Sequence, residues 1–173
     1  MIYFTADTHF YHTKILELNK RPFSNINEMN EILIANWNAC VGYEDEIYIL
    51  GDFSFFKRGA VDVNNLLVRL SGKKYLIRGN HDYFLDEKDF NPHDFEWIKD
   101  YYLLSYQNMK FALFHFPIYS WERGAIHLHG HVHNREGWTQ KSAVLGQMAF
   151  NVGVDVNNYR PVSIEEVIKR CIG

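Results

Sequence analysis

The stretch Arg78-Gly79-Asn80-His81-Asp82, at the end of the apolar run Tyr75-Leu76-Ile77, decides how the rest of the chain is read. Strand-forming residues stop at a glycine, and an amide, an imidazole and a carboxylate follow at once. Open α/β sheets gather their chemistry at such strand ends, in the crevice outside the carboxyl edge. Asn, Asp and Gly are also favoured in ordinary turns, so taken alone the pentapeptide fits a plain turn at least as well.

Four other stretches answer it, each a short apolar run that stops at side chains able to ligate a metal. Asp7-Thr8-His9 follows Met1-Ile2-Tyr3-Phe4, and Gly51-Asp52 follows Glu46-Ile47-Tyr48-Ile49-Leu50. His115 follows Phe111-Ala112-Leu113-Phe114, and Gly130-His131-Val132-His133 follows Ala125-Ile126-His127-Leu128. A single Gly-Asp or lone His is common and carries little. Five such pieces in the order Asp-x-His, Gly-Asp, Gly-Asn-His-Asp, His, Gly-His-x-His carry much more. That order, running from residue 7 to residue 133, resembles the calcineurin-like metallophosphoesterases.

The resemblance implies an α/β fold, a four-layer αββα sandwich of two mixed sheets flanked by helices, in one metallophosphoesterase domain over residues 1–173. It also implies two adjacent divalent metals. Asp7, His9 and His133 would hold the first, Asn80, His115 and His131 the second, and Asp52 would bridge both. The implied reaction is hydrolysis of a phosphodiester or phosphomonoester by in-line attack of hydroxide bound to the dinuclear centre. His81 resembles the histidine that protonates the leaving oxygen or contacts the phosphate, and a structural histidine is its plainer reading. Many relatives continue the Gly-Asp piece as Gly-Asp-x-x-Asp-Arg, the later Asp orienting that histidine. Phe55 and Phe56 stand there in this chain, so His81 lacks the usual carboxylate. Asp-x-His-Phe-x-His, Arg21-Pro22-Phe23, Gly51-Asp52-Phe53-Ser54-Phe55 and Asn151-Val152-Gly153-Val154-Asp155 look closer to small single-domain bacterial and phage phosphoesterases.

Charge counting supports the ligand set. Two dications bring four positive charges and the two Asp return two, so the centre stays electropositive, which suits a phosphate ester and acidifies bound water. Imidazole, carboxylate and amide ligands without thiolate favour Mn2+ and admit Fe, Zn2+ or Ni2+. His12, Arg21 and Arg78 lie close enough in sequence to the motifs to meet a phosphate. Exposure is the plainer reading of His12 and Arg21, and a salt bridge is an equal one for Arg78.

The chain has 173 residues, 47% hydrophobic content and a formal charge of −3 without a Lys/Arg block, which fits one domain with a sizeable core. A small phosphate ester such as a nucleotide is the substrate the resemblance implies. A nuclease acting on single strands stays open but is less favoured, and a non-catalytic metal-binding interaction module is the other alternative. The two cysteines, Cys40 and Cys171, lack metal or disulfide spacing, the few apolar residues before Asp7 carry no basic n-region and do not read as a secretory signal, and no apolar run reaches membrane length. The chain reads as cytoplasmic.

The spacing predicts strands over 1–6, 46–50 and 73–78, with Asp7 and His9 projecting to one side of extended backbone. Asn25 to Glu28 predicts a helix N-cap, followed by Met29, Ile32, Leu33 and Trp37 on one face. Val63, Leu66, Leu67 and Leu70 predict a second helix, stopped by Gly72. Residues 101–106 and 109–114 predict a hairpin. His127, His129, His131 and His133 alternate as strand residues on one side would, with the first two in the strand interior. Residues 138–147 read as a loop or hairpin and 148–154 as the last core strand. Ser163 to Glu166 predicts a capping box opening a C-terminal helix.

Overall fold

The computed structural model describes residues 1–56, 60–135, 141–144 and 147–172. In chain order the regular elements are β1 (Ile2–Thr5), α1 (Ile15–Leu18), α2 (Ile26–Cys40), β2 (Glu46–Leu50), α3 (Val61–Arg69), β3 (Lys73–Ile77) and β4 (Trp97–Lys99). There follow β5 (Tyr101–Tyr106), β6 (Met109–Phe114), β7 (Ile126–His129), β8 (Lys141–Val144), β9 (Gln147–Asn151), β10 (Val162–Ser163) and α4 (Ile164–Ile172).

They build two mixed five-stranded sheets, ordered β10-β1-β2-β3-β4 and β5-β6-β7-β9-β8. In the first sheet β1 to β4 are parallel and β10 runs antiparallel on the edge. In the second, β6, β7 and β9 are parallel, with β5 and β8 antiparallel at the two edges. The fold is thus the expected mixed α/β architecture with two mixed sheets and helices.

Parallel strands covered on both faces need apolar residues on both faces, and β2 shows the period of two directly. Ile47 and Ile49 enter the core shared with Met29, Leu33 and Trp37 of α2 and Val63, Leu66 and Leu67 of α3. Tyr48 and Leu50 point the other way, into a core with Phe111 and Leu113 of β6, Leu128 of β7 and Phe150 of β9. Ile164, Val167 and Cys171 of α4 join that inter-sheet core. On the other face of β7, Trp121 lies over His127, ring centroids 5.0 Å apart.

The helix ends follow the sequence signals. Asn25 caps α2 by accepting from the Glu28 N–H at 3.0 Å, and the Ser163 hydroxyl accepts from the Glu166 N–H at 3.1 Å at the start of α4. The hairpin β5–β6 turns through Gln107 with φ +53°. The predicted loop or hairpin over 138–147 lies partly outside the described residues. Within it β8 pairs with β9.

Candidate metal centre

The two sheets bring their carboxyl ends to one place. Past β1 and β2 the exit loops run side by side: the Asp7 N–H donates to Gly51 O, His9 N–H to Asp52 O and Phe10 N–H to Phe53 O, each at 3.0 Å. The loops approach so closely that a Cβ on Gly79 would lie 2.2 Å from the Asp52 nitrogen and 2.4 Å from its Oδ1. Only glycine fits there.

Backbone geometry differs from the extended form expected of Asp7 and His9. Asp7, His9, Asp52, His131 and His133 all have positive φ, between +50° and +69°. Left-handed backbone is uncommon for residues other than glycine, though Asp and His tolerate it better than most, and it concentrates at functional sites. The four alternating histidines do not share one strand either: β7 ends at His129, and His131 and His133 reach the centre from a left-handed turn.

Two triads of potential ligands result, Asp7 with His9 and His133, and Asp52 with His115 and His131, with the ligand atoms of each triad within 4.8 Å of one another. Asp52 links them, its Oδ2 3.5 Å from His9 Nε2 and its Oδ1 3.5 Å from His115 Nε2. Asn80 brings its Oδ1 within 3.0 Å of His115 Nε2.

The donor set fits cations. His115 Nδ1 donates to Leu50 O at 2.8 Å, so in the neutral ring Nε2 carries a lone pair, and that lone pair faces two oxygens. His9 Nε2 is buried without a hydrogen-bond partner. In the neutral rings the Nε2 lone pairs of His115 and His133, whose Nδ1 atoms donate to Leu50 O and Asp155, turn towards the carboxylates of the two triads, an arrangement a divalent ion resolves. The opposite ring nitrogens are held, as metal-binding imidazoles require. His133 Nδ1 is 2.9 Å from Asp155 Oδ2 and His9 Nδ1 3.2 Å from His12 Nδ1. The Asp7 carboxylate in turn accepts from the His131 backbone N–H with both oxygens.

Comparison with known proteins agrees with this geometry. The family model for calcineurin-like phosphoesterases matches residues 1–156. The chain belongs to that family. It is 36% identical over 170 residues to an uncharacterised protein of Methanocaldococcus jannaschii, covering 97% of this chain and 89% of that one. A crystal structure of a protein of unknown function from Aquifex aeolicus has a TM-score of 0.76 and 27% sequence identity, covering 98% of each chain. Membership of the family makes the chain a metal-dependent phosphoesterase in general terms.

Electrostatics of the phosphoesterase centre are dominated by burial. Burial raises the Asp7 carboxyl to about 6, outweighing the lowering by His133 and His115. It also holds His9 well below the usual imidazole value, helped by the charges of His133 and Arg21. His131 is lowered by burial and then by His115. For His133 burial works downward, but its hydrogen bond to Asp155 and the charges of Asp7 and Asp155 leave it raised. Burial disfavours whichever form is charged, the carboxylate of Asp7 and the imidazolium of His9 and His131, and at His133 the anionic partners outweigh it.

His81 stands over the centre, its ring 5.4 Å from that of His9. Its backbone N–H donates to Asp52 Oδ1 at 2.8 Å, and its Nδ1 is buried without a hydrogen-bond partner. Rings hold it in place of a carboxylate: Phe55 and Tyr83 meet it edge-on at 5.2 Å and 6.0 Å. Asp82 ties the loop down by accepting from the Gly79, Asp52 and Phe53 N–H groups.

The three residues expected to meet a phosphate are placed differently from one another. His12 faces His9 and stacks on Phe55 at 4.0 Å. Arg21 is corrected to an internal position: it is buried, with its guanidinium committed to Asp155 and to backbone carbonyls of Asp7 and Thr8. Arg78 takes the salt-bridge reading, pairing on the surface with Asp86 at 3.3 Å. Sequence reasoning missed Asp155 as a partner of His133, and missed Asn151, whose side chain donates to His133 O at 3.0 Å. Both lie in the Asn-Val-Gly-Val-Asp stretch, which marked the resemblance without disclosing these contacts.

Proposed function

We propose that this phosphoesterase hydrolyses a small phosphate ester, such as a nucleotide, at a dinuclear centre. The observation that carries the reading is Asp52, one carboxylate within 3.5 Å of an imidazole in each triad. Asp7, His9 and His133 would hold one divalent ion, and Asn80, His115 and His131 the other. Asp52 would bridge them. Mn2+ suits the donor set best, with Fe, Zn2+ and Ni2+ as alternatives. Two such ions would supply acidified water near neutral pH and neutralise charge on the phosphoryl oxygens.

The chain's own residues do the rest. A cavity of about 300 Å3 opens beside the first triad, lined by His9, His12, His81 and His133 and walled by Ile15 and Leu18. It is large enough for an ester substituent, and the burial of the triads excludes water behind the phosphate. His81 faces this cavity and is placed to donate a proton to the leaving oxygen or to hold a phosphoryl oxygen. With Arg21 and Arg78 engaged elsewhere, phosphate recognition falls to the metals, His81 and His12. The test is hydrolysis of bis-p-nitrophenyl phosphate and p-nitrophenyl phosphate by chelator-stripped protein with Mn2+ restored, beside Asp52→Asn. Turnover restored in the parent and absent in the variant supports the reading, and the preferred ester separates diester from monoester work. Stoichiometric metal uptake with neither ester turned over would favour the interaction module instead.

A further inference from the structure

Among the described residues, the ion pair Arg21–Asp155 is the most elaborate polar contact that the proposed chemistry does not use. Its side chains have no exposed surface. Nε donates to Asp155 Oδ1 at 2.9 Å and Nη2 to Oδ2 at 2.8 Å, a two-pronged contact. Nη2 also donates to Asp7 O at 2.6 Å, and Nη1 donates to Thr8 O at 2.9 Å and approaches Met29 Sδ at 3.4 Å. Five donor hydrogens therefore meet five acceptor contacts, which is the full capacity of a guanidinium.

Apart from Met29 in α2, each partner leads to the same triad. Asp7 and His9 flank Thr8 in the strand exit, and the Asp155 Oδ2 that meets Arg21 also meets His133 Nδ1 at 2.9 Å. We infer that Arg21 and Asp155 are a positioning pair for the Asp7–His9–His133 half of the centre: Arg21 fixes the left-handed backbone carrying the first two ligands, and Asp155 fixes the tautomer and ring of the third. A lysine cannot replace the arginine, because an ammonium has three donors and no planar fork. The second triad has supports of its own, His115 held by Leu50 O and Asp52 receiving the His81 N–H, and it meets the first through the His131 N–H on the Asp7 carboxylate and the His9 N–H on Asp52 O. The pair therefore acts chiefly on one ion. This inference rests on the dinuclear reading above.

The test counts metal by calorimetry in Arg21→Lys and Asp155→Asn, with chelator-stripped parent beside them and circular dichroism as the check on folding. Asp155→Asn retains an acceptor for His133 and loses the charge, so it keeps the inference testable if Arg21→Lys does not fold. The expected result is two Mn2+ equivalents in the parent, with one of them weakened about 10–100-fold in either folded variant and the other unchanged. Two equivalents bound by the variants as tightly as by the parent, or both weakened alike, would overturn the pair's role. Fewer than two equivalents in the parent would instead overturn the dinuclear reading.

Discussion

Asp82→Ala removes the acceptor on which the phosphoesterase loops converge. Its carboxylate receives the Phe53 N–H at 2.7 Å, the Gly79 N–H at 2.8 Å and the Asp52 N–H at 3.0 Å. Asp82 is buried, so each orphaned N–H costs about 1–3 kcal/mol. Three give about 3–9 kcal/mol, towards the lower end where water enters the space left. Even about 3 kcal/mol is a large part of the stability of an ordinary domain, and it lowers Tm by about 6–12 °C for a chain of this length. Asp82→Asn is the informative control. An amide oxygen at the Oδ2 position keeps the Asp52 and Gly79 bonds, while the amide nitrogen opposes the Phe53 N–H, and the variant also sheds a carboxylate that burial raises to about 6, so its loss is smaller than that of alanine. Urea unfolding of chelator-stripped proteins at pH 7 measures both. Asp82→Ala within about 1 kcal/mol of the parent, or Asp82→Asn as unstable as Asp82→Ala, would refute the hydrogen-bond account.

Three further outcomes are expected. Gly79→Ala forces the Asp52 loop away, because the new methyl would sit 2.2 Å from backbone; with Asp52 displaced by an ångström or so, activity falls about 100-fold, and a variant with parental kcat and metal stoichiometry would contradict the close approach. Mn2+ at 100 times its Kd stabilises the protein by about 2.7 kcal/mol, seen as a Tm rise that excess chelator reverses; an unchanged Tm would contradict the metal fit. Acidification from pH 7 to pH 5 destabilises the chelated protein. Burial holds His12 and His129 at about 4 and His9 well below 6.5, so their contribution is complete above 6.5 and is lost as pH falls towards the folded values. Asp7 and Asp82, raised by burial to about 6, oppose this by gaining as pH falls through that value. His127 and His131 are lowered by burial too and His133 is raised, so five lowered imidazoles stand against two raised carboxyls and one raised imidazole, and a urea midpoint higher at pH 5 than at pH 7 would reverse the expected sign.

The fold was legible because parallel strands between two cores must be apolar on both faces. Runs such as Glu46 to Leu50 and Phe111 to Phe114 announce themselves, and each stops where its backbone leaves the sheet. The candidate ligands were legible for a related reason: a polar, metal-capable residue directly after such a run has few roles. What the sequence does not carry is the backbone sign at Asp7, His9, Asp52, His131 and His133. Left-handed φ at Asp or His is set by tertiary hydrogen bonds, such as Asp7 N–H to Gly51 O, between segments distant in the chain. Arg21 was misread for the same cause. Its partner Asp155 lies 134 positions away, and an arginine beside a motif looks like a phosphate contact until the fold closes over it.

The centre is also locally unfavourable, and this gives the last prediction. Five left-handed non-glycine residues carry about 1–3 kcal/mol of strain each, and Asp7 is a fully buried carboxylate raised by that burial to about 6. At pH 7 it is ionised in the folded chain, above its folded value, so relative to the ordinary 3.8 it withdraws about 3 kcal/mol of stability from the metal-free protein. Asp7→Asn removes that penalty while keeping what matters structurally, because both carboxylate oxygens accept from one donor, the His131 N–H, and a single amide oxygen can serve it. In chelator at pH 7 the variant is therefore at least as stable as the parent, although it lacks a proposed metal ligand. In saturating Mn2+ the order reverses, since the parent gains from an ion that the variant holds weakly. Urea unfolding of both proteins in the two conditions reads the crossing directly. An Asp7→Asn protein less stable than the parent by more than about 1 kcal/mol in chelator would mean that Asp7 is held by favourable contacts of its own, and that the centre does not depend on a cation to offset the burial of its charge.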